Sequence, residues 1–258
     1  MRLSDATVLV TGANRGIGRA LAAELAKHSE RVYAGVRNPA AFEPIEGDLR
    51  AEVLPLAIDL SSRASIDASF AQSREQLAGV DVLVNNAGLL SVGLLEEQDA
   101  DAYYAMMQVN LVGLIHLTQL MLPAMLQRGS GQIVNNASIS GYAYFPLAST
   151  YAASKAGVVA FSESLRRELR GTGVGVTHLI TPGVKTDMLG ETRDAYGSHI
   201  DTSGWDEIPA EEWAARVVAG IERDEAAVMP SGKPALTVKL AGGPRVLLDR
   251  VAARIFTR

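Results

Sequence analysis

Tyr151 and Lys155 stand as Y-x-x-x-K in the segment Ser149-Thr150-Tyr151-Ala152-Ala153-Ser154-Lys155, and a helix would bring i and i+4 onto one face. An ammonium held beside a phenol favours the phenolate and draws the Tyr pKa down from its reference of about 10. A phenol tuned in that way can exchange a proton with an alcohol or a carbonyl near neutral pH. The same spacing also arises where an exposed Tyr lies beside a solvated Lys. The chemistry therefore depends on what the rest of the chain places around the pair.

A second set opens the chain. The apolar run Ala6-Thr7-Val8-Leu9-Val10 leads into Thr11-Gly12-Ala13-Asn14-Arg15-Gly16-Ile17-Gly18, and a helical pattern follows through Leu21, Leu25 and Ala26. This is strand, glycine turn, helix. Gly12, Gly16 and Gly18 let the backbone turn tightly and approach a pyrophosphate, while the helix beyond offers free N–H groups and a positive dipole end. The spacing is T-G-x-x-x-G-x-G rather than G-x-G-x-x-G, and its place after an N-terminal strand points to dinucleotide binding over a merely structural turn.

The elements that must carry these residues are legible as an alternation. Apolar runs rich in Val, Ile and Leu occur at 6–11, 31–36, 52–58, 80–85, 131–136, 174–180 and 226–229, and helical patterns at about 16–28, 63–78, 99–128, 149–171 and 209–223. Strand–helix alternation implies right-handed crossovers and a seven-stranded parallel sheet with helices on both faces, a doubly wound α/β Rossmann fold. Ligands of such sheets gather at the carboxyl ends of the strands. With 258 residues, 48% of them hydrophobic, one domain spanning 1–258 is expected. Two segments break the rhythm, a mixed loop at 187–208, read as a substrate loop, and a C-terminal extension at 231–258.

A net charge of −5 with no dominant basic stripe argues against a general binder of nucleic acid or of an anionic membrane. The absence of cysteine excludes disulfides, thiolate chemistry and Cys-based metal sites, and no metal site is expected; it fits a reducing, cytoplasmic setting. The N-terminus shows no apolar leader pattern. The stretch Leu111–Leu126 contains His116, Thr118, Gln119 and Pro123 and falls short of the roughly 20 residues of a membrane span. It reads as a long buried helix apolar on every side, which suggests a partner subunit and no integral membrane segment.

The glycine turn, Asn85-Asn86-Ala87-Gly88 after the fourth strand, Asn110, Ser138 after the fifth strand, Tyr151 with Lys155, and Pro182-Gly183 after the sixth follow one another in an order that resembles the short-chain dehydrogenase/reductase family from about residue 5 to 230. The resemblance implies that Tyr151 is the catalytic acid/base, that Ser138 hydrogen-bonds the substrate oxygen, and that Lys155 lowers the Tyr pKa and binds the nicotinamide ribose. It implies that Asn110 completes a tetrad, its helix distortion positioning a water that links the Lys to solvent. It places Gly12, Asn14, Arg15, Gly16, Ile17, Gly18, Asn86, Ala87, Gly88, Pro182, Gly183, Val184 and Thr186 against the cofactor, together with Asp59 and Leu60 on the adenine side. Asp59 could instead cap a helix near Ser61 and Ser62. The hydride would be the cofactor's, the protein supplying orientation and a proton.

After the second strand an NAD enzyme commonly carries an acid for the ribose 2′-OH, where an Arg suits a 2′-phosphate. Here Val36 and Arg37 stand at that point, with Arg15 in the glycine turn, and the planar guanidinium binds phosphate oxygens bidentately. NADP(H) is therefore expected. Leu89, Leu90, Tyr142, Tyr144, Phe145, Met188, Leu189 and Trp205 follow the motifs in sequence and would line a substrate site. Their apolar character favours a small, neutral, lipophilic ketone or secondary alcohol. A non-catalytic dinucleotide sensor would have no need of the Ser138, Tyr151 and Lys155 set, and an epimerase or dehydratase would need a larger C-terminal substrate domain.

The family's acyl-carrier-protein ketoreductases end soon after the last strand, whereas this chain continues with Lys233, Lys239, Arg245, Arg250, Arg254 and Arg258 against the single acid Asp249. A basic amphipathic helix can lie on a membrane or pack on its own domain or a neighbour. Homodimer or homotetramer formation is expected through the two long helices, with Leu114, Leu117, Met121, Phe161, Leu165 and Leu169 supplying the apolar surface. The altered tail puts the family's second tetramer interface in doubt.

Overall fold

The computed structural model describes residues 2–197, 199–200, 202 and 205–241. Seven parallel strands, β1 Thr7–Thr11, β2 Arg31–Val36, β3 Val53–Ala57, β4 Val82–Asn85, β5 Gly131–Asn136, β6 Val174–Leu179 and β7 Ala227–Val228, form one sheet in the order β3-β2-β1-β4-β5-β6-β7. The helices are α1 Gly16–His28, α2 Arg63–Gln72, α3 Arg74–Ala78, α4 Ala100–Met107, α5 Leu114–Arg128, α6 Ser149–Glu168, α7 Asp187–Tyr196, α8 Ala210–Glu222 and α9 Gly232–Ala241. The chain reverses its winding between β1 and β4, which opens a crevice at their carboxyl ends.

Strand side chains alternate faces, and so β1 feeds two cores. Val8 and Val10 pack with Leu21 and Leu25 of α1 and Trp213, Val217 and Ile221 of α8. Leu9 packs on the other face with Leu83, Ile133 and Val176, beneath Leu117, Met121 and Met125 of α5 and Leu165 of α6. Leu114, Leu117, Met121, Leu165 and Leu169, expected at a subunit interface, are instead buried within this protomer. They form the inward stripe of their helices, and the apolar side chains left outside α4 and α5 are others, Tyr104, Val112 and Leu126.

The expected helix at 63–78 breaks at Ser73 into α2 and α3. Its N-cap is Ser62, joined to Ser65 in a capping box, so Asp59 is not the cap. Residues 187–208 are not wholly a loop, because α7 occupies their first half, and the extension forms α9 before the chain passes at residue 242 outside the described residues. The helical run at 100–128 fills the expected 99–128 and extends beyond the apolar stretch 111–126 at both ends. At 29 residues and mean hydropathy 1.6 it is long and apolar enough to cross a membrane by length and composition alone. Here it is the crossover between paired strands β4 and β5, with Leu114, Leu117, Met121 and Met125 in the core.

Candidate active site

The carboxyl ends of the strands are tied together by a ladder of polar side chains. Thr11 Oγ1, at the end of β1, accepts from the backbone N–H groups of Asn86 and Ala87, each at 3.0 Å, and Asn86 Nδ2 donates to the Thr11 carbonyl at 3.0 Å. Asn136 at the end of β5 donates to Asn86 Oδ1 at 2.9 Å, and Thr181 donates to Asn136 Oδ1 at 2.5 Å. Four loops are thus held in register across the crevice. Of these four residues Thr11 opens the T-G-x-x-x-G-x-G spacing and Asn86 belongs to the run after β4, whereas Asn136 and Thr181 carry no spacing signal of their own.

The glycine turn rises from this ladder. Gly12 and Gly16 have positive φ, +67° and +54°, which favours glycine. A Cβ on Gly18 would lie 2.2 Å from the Gly12 carbonyl oxygen and 2.4 Å from Asn86 Nδ2, so no side chain fits there. α1 begins at Gly16 with no side-chain cap and no acid in its first turn, leaving its N-terminal dipole end suited to an anion. Asn14 and Arg15 are exposed beside it, and Ile17 is half-buried. The residues present therefore fit a dinucleotide diphosphate.

Around this turn, Asn86, Ala87 and Gly88 leave β4, while Pro182, Gly183, Val184 and Thr186 follow β6, with Thr186 Cγ2 reaching 3.3 Å from where a Gly16 Cβ would stand. Asp59 follows β3 and accepts from the Ser61 backbone N–H and hydroxyl, each at 3.0 Å, and Leu60 beside it is buried. Arg37 is exposed at the end of β2, after buried Val36. Arg15 makes a loose, exposed pair with Asp187 of α7 at 3.7 Å.

Tyr151 and Lys155 occupy the first turns of α6, and Lys155 is only 5% exposed. Its Nζ donates to the Asn136 carbonyl at 2.8 Å and lies 5.8 Å from the Tyr151 ring centroid. Ser138, just past β5, accepts from the Ser140 N–H at 3.1 Å and hydrogen-bonds the Tyr151 phenol. Asn110 sits in a π-helical turn, Gln108–Gly113, between α4 and α5, the kind of distortion often found at functional sites. Its Oδ1 accepts from Leu89 N at 2.8 Å, and its Nδ2 donates to Leu89 O at 2.9 Å and Ser154 Oγ at 3.3 Å. Ser154 Oγ in turn donates to the Tyr151 carbonyl at 2.7 Å, so Asn110 fastens the loop after β4 to the turn of α6 that bears the phenol.

The electrostatics differ from the expectation of a phenol lowered by its lysine. Burial pushes Tyr151 up to about 12, with the Ser138 hydrogen bond working against the rise, and burial pushes Lys155 down to about 8. The reason is geometric: the ammonium is spent on the Asn136 carbonyl, and loss of water dominates both groups. Tyr151 is consequently a protonated donor at neutral pH.

An apolar cluster encloses the phenol. Leu147, Ala148, Tyr196 and Ile200 form it, with Val92, Leu94, Tyr151 and Trp205 against them, and Trp205 meets Tyr196 edge-on at 5.5 Å. Tyr196, Ile200, Leu147, Val92 and Leu94 were missed in the sequence. Tyr196 stands seven residues after Leu189 on α7, a helical spacing that could have found it. Leu147 lies in the left-handed region at φ 66°, a strain that tends to accompany functional sites. Leu89, Tyr144 and Phe145 retain exposure and Leu90, Met188 and Leu189 are half-buried. Tyr142 departs from the set, because its hydroxyl meets His178 Nε2 at 2.5 Å, on the side of α6 that carries Glu163.

The sequence matches the short chain dehydrogenase family over residues 6–197. An uncharacterised oxidoreductase of Staphylococcus saprophyticus is 34% identical over 197 residues, 74% of this chain and 84% of that protein. A 3-oxoacyl-acyl-carrier-protein reductase of Haemophilus influenzae is 35% identical over 181 residues, 70% of this chain and 74% of that one. Among solved structures, a Burkholderia cenocepacia short chain dehydrogenase in complex with NADP superposes with a TM-score of 0.82 at 26% identity, covering 100% of both chains. A Burkholderia phymatum short chain dehydrogenase/reductase in complex with NAD gives 0.79 at 25% identity, covering 93% of this chain and 94% of that one.

Proposed function

This chain belongs to the short-chain dehydrogenase family of oxidoreductases, and from that premise we propose that it is a single-domain, NADP(H)-dependent enzyme interconverting a ketone and a secondary alcohol on a small, neutral, lipophilic substrate. The observation that carries the reading is the Tyr151 phenol, hydrogen-bonded by Ser138 and walled by Leu147, Ala148, Tyr196, Ile200 and Trp205. A proton donor set among apolar side chains suits an uncharged carbonyl carried on a hydrocarbon body.

NADP(H), when bound, supplies or accepts the hydride. Gly12, Gly16, Gly18 and the α1 N-terminus would receive its diphosphate, with Asn14 and Ile17 beside them. Arg15 and Arg37 would bind the 2′-phosphate, Asp59 and Leu60 would border the adenine, and Asn86, Ala87 and Gly88 would flank the cofactor. Pro182, Gly183, Val184 and Thr186 would close over the nicotinamide side. Support for the phosphate over a bare hydroxyl is the presence of two guanidinium groups and buried Val36 where an acid would serve NAD.

In reduction, Tyr151 Oη gives its proton to the carbonyl oxygen while Ser138 Oγ donates a hydrogen bond to that same oxygen. Lys155 holds positive charge beside the forming phenolate, and Asn110 positions the α6 turn through Ser154. Leu89, Leu90, Tyr144, Phe145, Met188, Leu189 and Trp205 would hold the substrate body. Following NADPH oxidation against aryl, terpenoid and steroid ketones tests the reading. Turnover of one class with little NADH activity is expected, and absence of turnover despite NADPH binding would favour a dinucleotide sensor.

A further inference from the structure

His178 is a buried titratable group with no part in the proton transfer from Tyr151. On β6 the side chains of Val174 and Val176 face the apolar core that Leu165 and Leu169 close from the α6 side, and position 178 returns to that same face. It holds an imidazole, 3% exposed, where an aliphatic side chain would complete the row. A buried imidazole is costly unless its ring nitrogens find partners. Tyr142 supplies one: its hydroxyl stands 2.5 Å from His178 Nε2, with the two rings stacked at 23° and 6.1 Å between centroids. Glu163 of α6 faces the other nitrogen, its carboxylate 3.8 Å from Nδ1 and held by Arg166 at 3.0 Å and Arg167 at 2.8 Å.

Burial holds His178 below the ordinary imidazole range against the pull of Glu163, and Arg166 adds to the fall. Burial and Glu163 together push the Tyr142 phenol up to about 12. At neutral pH the phenol is therefore the donor and Nε2 the acceptor, which leaves the imidazole hydrogen on Nδ1, towards Glu163. The charged groups that act on the imidazole are Glu163 and Arg166, both of α6; its neighbours across the sheet, Asn135 of β5 and Ala227 of β7, carry no charge.

This bond grips the turn that follows Ser138. Ile139–Gly141 forms that turn and Tyr142 ends it, donating its backbone N–H to the Ile139 carbonyl at 3.0 Å. The Ser140 N–H donates to Ser138 Oγ at 3.1 Å, and the Ile139 N–H donates to the Thr181 carbonyl at 3.0 Å. Gly141 lies so close to α6 that a Cβ there would stand 3.0 Å from the Lys155 carbonyl oxygen. Tyr142 adds a side-chain anchor at the far end of the turn, on the strand that leads to Thr181.

We propose that the Tyr142–His178 pair is a positioning clamp for Ser138, fixing the serine oxygen against the Tyr151 phenol and the substrate carbonyl while touching neither. The inference rests on the oxidoreductase reading of the site, which gives Ser138 its bond to the substrate oxygen. Loss of the clamp lets the turn relax, and a displacement of about 1 Å at Ser138 Oγ costs up to about a hundredfold in rate. Acid acts on the same bond reversibly. Once His178 takes a proton, Nε2 becomes a donor and the phenolic hydrogen loses its acceptor, so the bond in its present sense is lost and the imidazolium is drawn to Glu163.

Steady-state ketone reduction by Y142F, H178Q, S138A and Y142F/S138A tests it. Y142F should lower kcat by about tenfold or more, with KM and NADPH affinity changed by less than about twofold, because Ser138 acts on the transition state. On the S138A background the same substitution should cost nothing further, since the group it positions is gone. H178Q keeps an acceptor for the phenol and should retain most of the rate, and it should lack the fall in kcat that the unmodified protein shows below pH 6.5, the ordinary imidazole value. Unchanged NADPH binding shows that each variant is folded; should Y142F fail that check, the pH profile of H178Q decides. A fully active Y142F, an equal loss with and without the Ser138 oxygen, or the same acid fall in H178Q as in the unmodified protein overturns the clamp alone. An unmodified protein that binds NADPH and reduces no ketone overturns the oxidoreductase reading, and the clamp with it.

Discussion

Removing the phenolic oxygen of Tyr151 should lower kcat for carbonyl reduction by about a thousandfold or more, because the phenolic proton beside Ser138 is lost. NADPH affinity in Tyr151→Phe, measured by fluorescence titration, should stay close to that of the unmodified protein; near-normal turnover would sink the mechanism. Lys155 gives a pH dependence with a definite sign. Its folded pKa of about 8 lies below the ordinary 10.5, so the charge beside the phenol fades above about pH 8 and the reduction rate should fall there. The same shift means that the unfolded chain binds the extra proton between about pH 8 and 10, so this group's contribution to stability rises with pH while activity declines. Pairing a pH–rate profile with melting curves separates the two trends, and both should vanish in Lys155→Met. At the second strand's end, Arg37→Asp should shift the ratio of kcat/KM for NADPH and NADH by at least about tenfold towards NADH, since a carboxylate repels a 2′-phosphate and accepts from a free 2′-OH. Comparable kcat/KM for the two cofactors in the unmodified protein would contradict the assignment. At this scale the motif residues were legible because glycine, Tyr and Lys carry fixed spacings. The buried environment that sets the pKa of Tyr151 could not be read, because it comes from segments distant in sequence, and of the apolar wall around it only Tyr196 stood at a helical spacing from a residue already singled out.

The strand ends hold the site in place, and the polar ladder gives a measurable handle on them. Thr11 is 1% exposed, and its hydroxyl accepts from two backbone N–H groups of the loop after β4. Thr11→Val keeps the shape and orphans both donors, which should destabilise the fold by about 2 kcal/mol or more. For a chain of this size that is a fall in Tm of about 4–8 °C, and Thr11→Ser should recover most of it by keeping the oxygen. Unchanged melting in Thr11→Val would show that the ladder does not bear on the crevice. The seven strands were legible because each is a short apolar run, and a parallel strand buried on both faces needs no alternation. α7 was not, because Met188 and Leu189 are followed by polar residues, and its inner side is defined by Tyr196 meeting Trp205 across the chain. The distortion at Asn110 was expected through the resemblance alone, since no spacing in Gln108–Gly113 marks a π-turn and only the asparagine points to it.

Across the whole molecule, the apolar side chains that the protomer leaves uncovered indicate where a second copy would sit. The inward stripe of α5 and α6 is spent on the sheet, whereas Tyr104 is 67% and Val112 51% exposed around a shallow depression of about 370 Å³ that Ser61, Met107 and Gln108 complete. Beside it, Ala153 and Ala160 are exposed on α6, and small side chains there allow close approach of a neighbouring helix. An isologous dimer would place these patches against each other about a twofold axis, burying apolar surface at about 25 cal/mol per Å². Light scattering of the unmodified protein at micromolar concentration should therefore report a dimer or a larger even-numbered assembly. Val112→Glu, which sets like charges face to face without touching the protomer core, should shift it towards monomer while leaving NADPH binding intact. A stable, active monomer in the unmodified protein would show that this exposed face is solvated rather than paired.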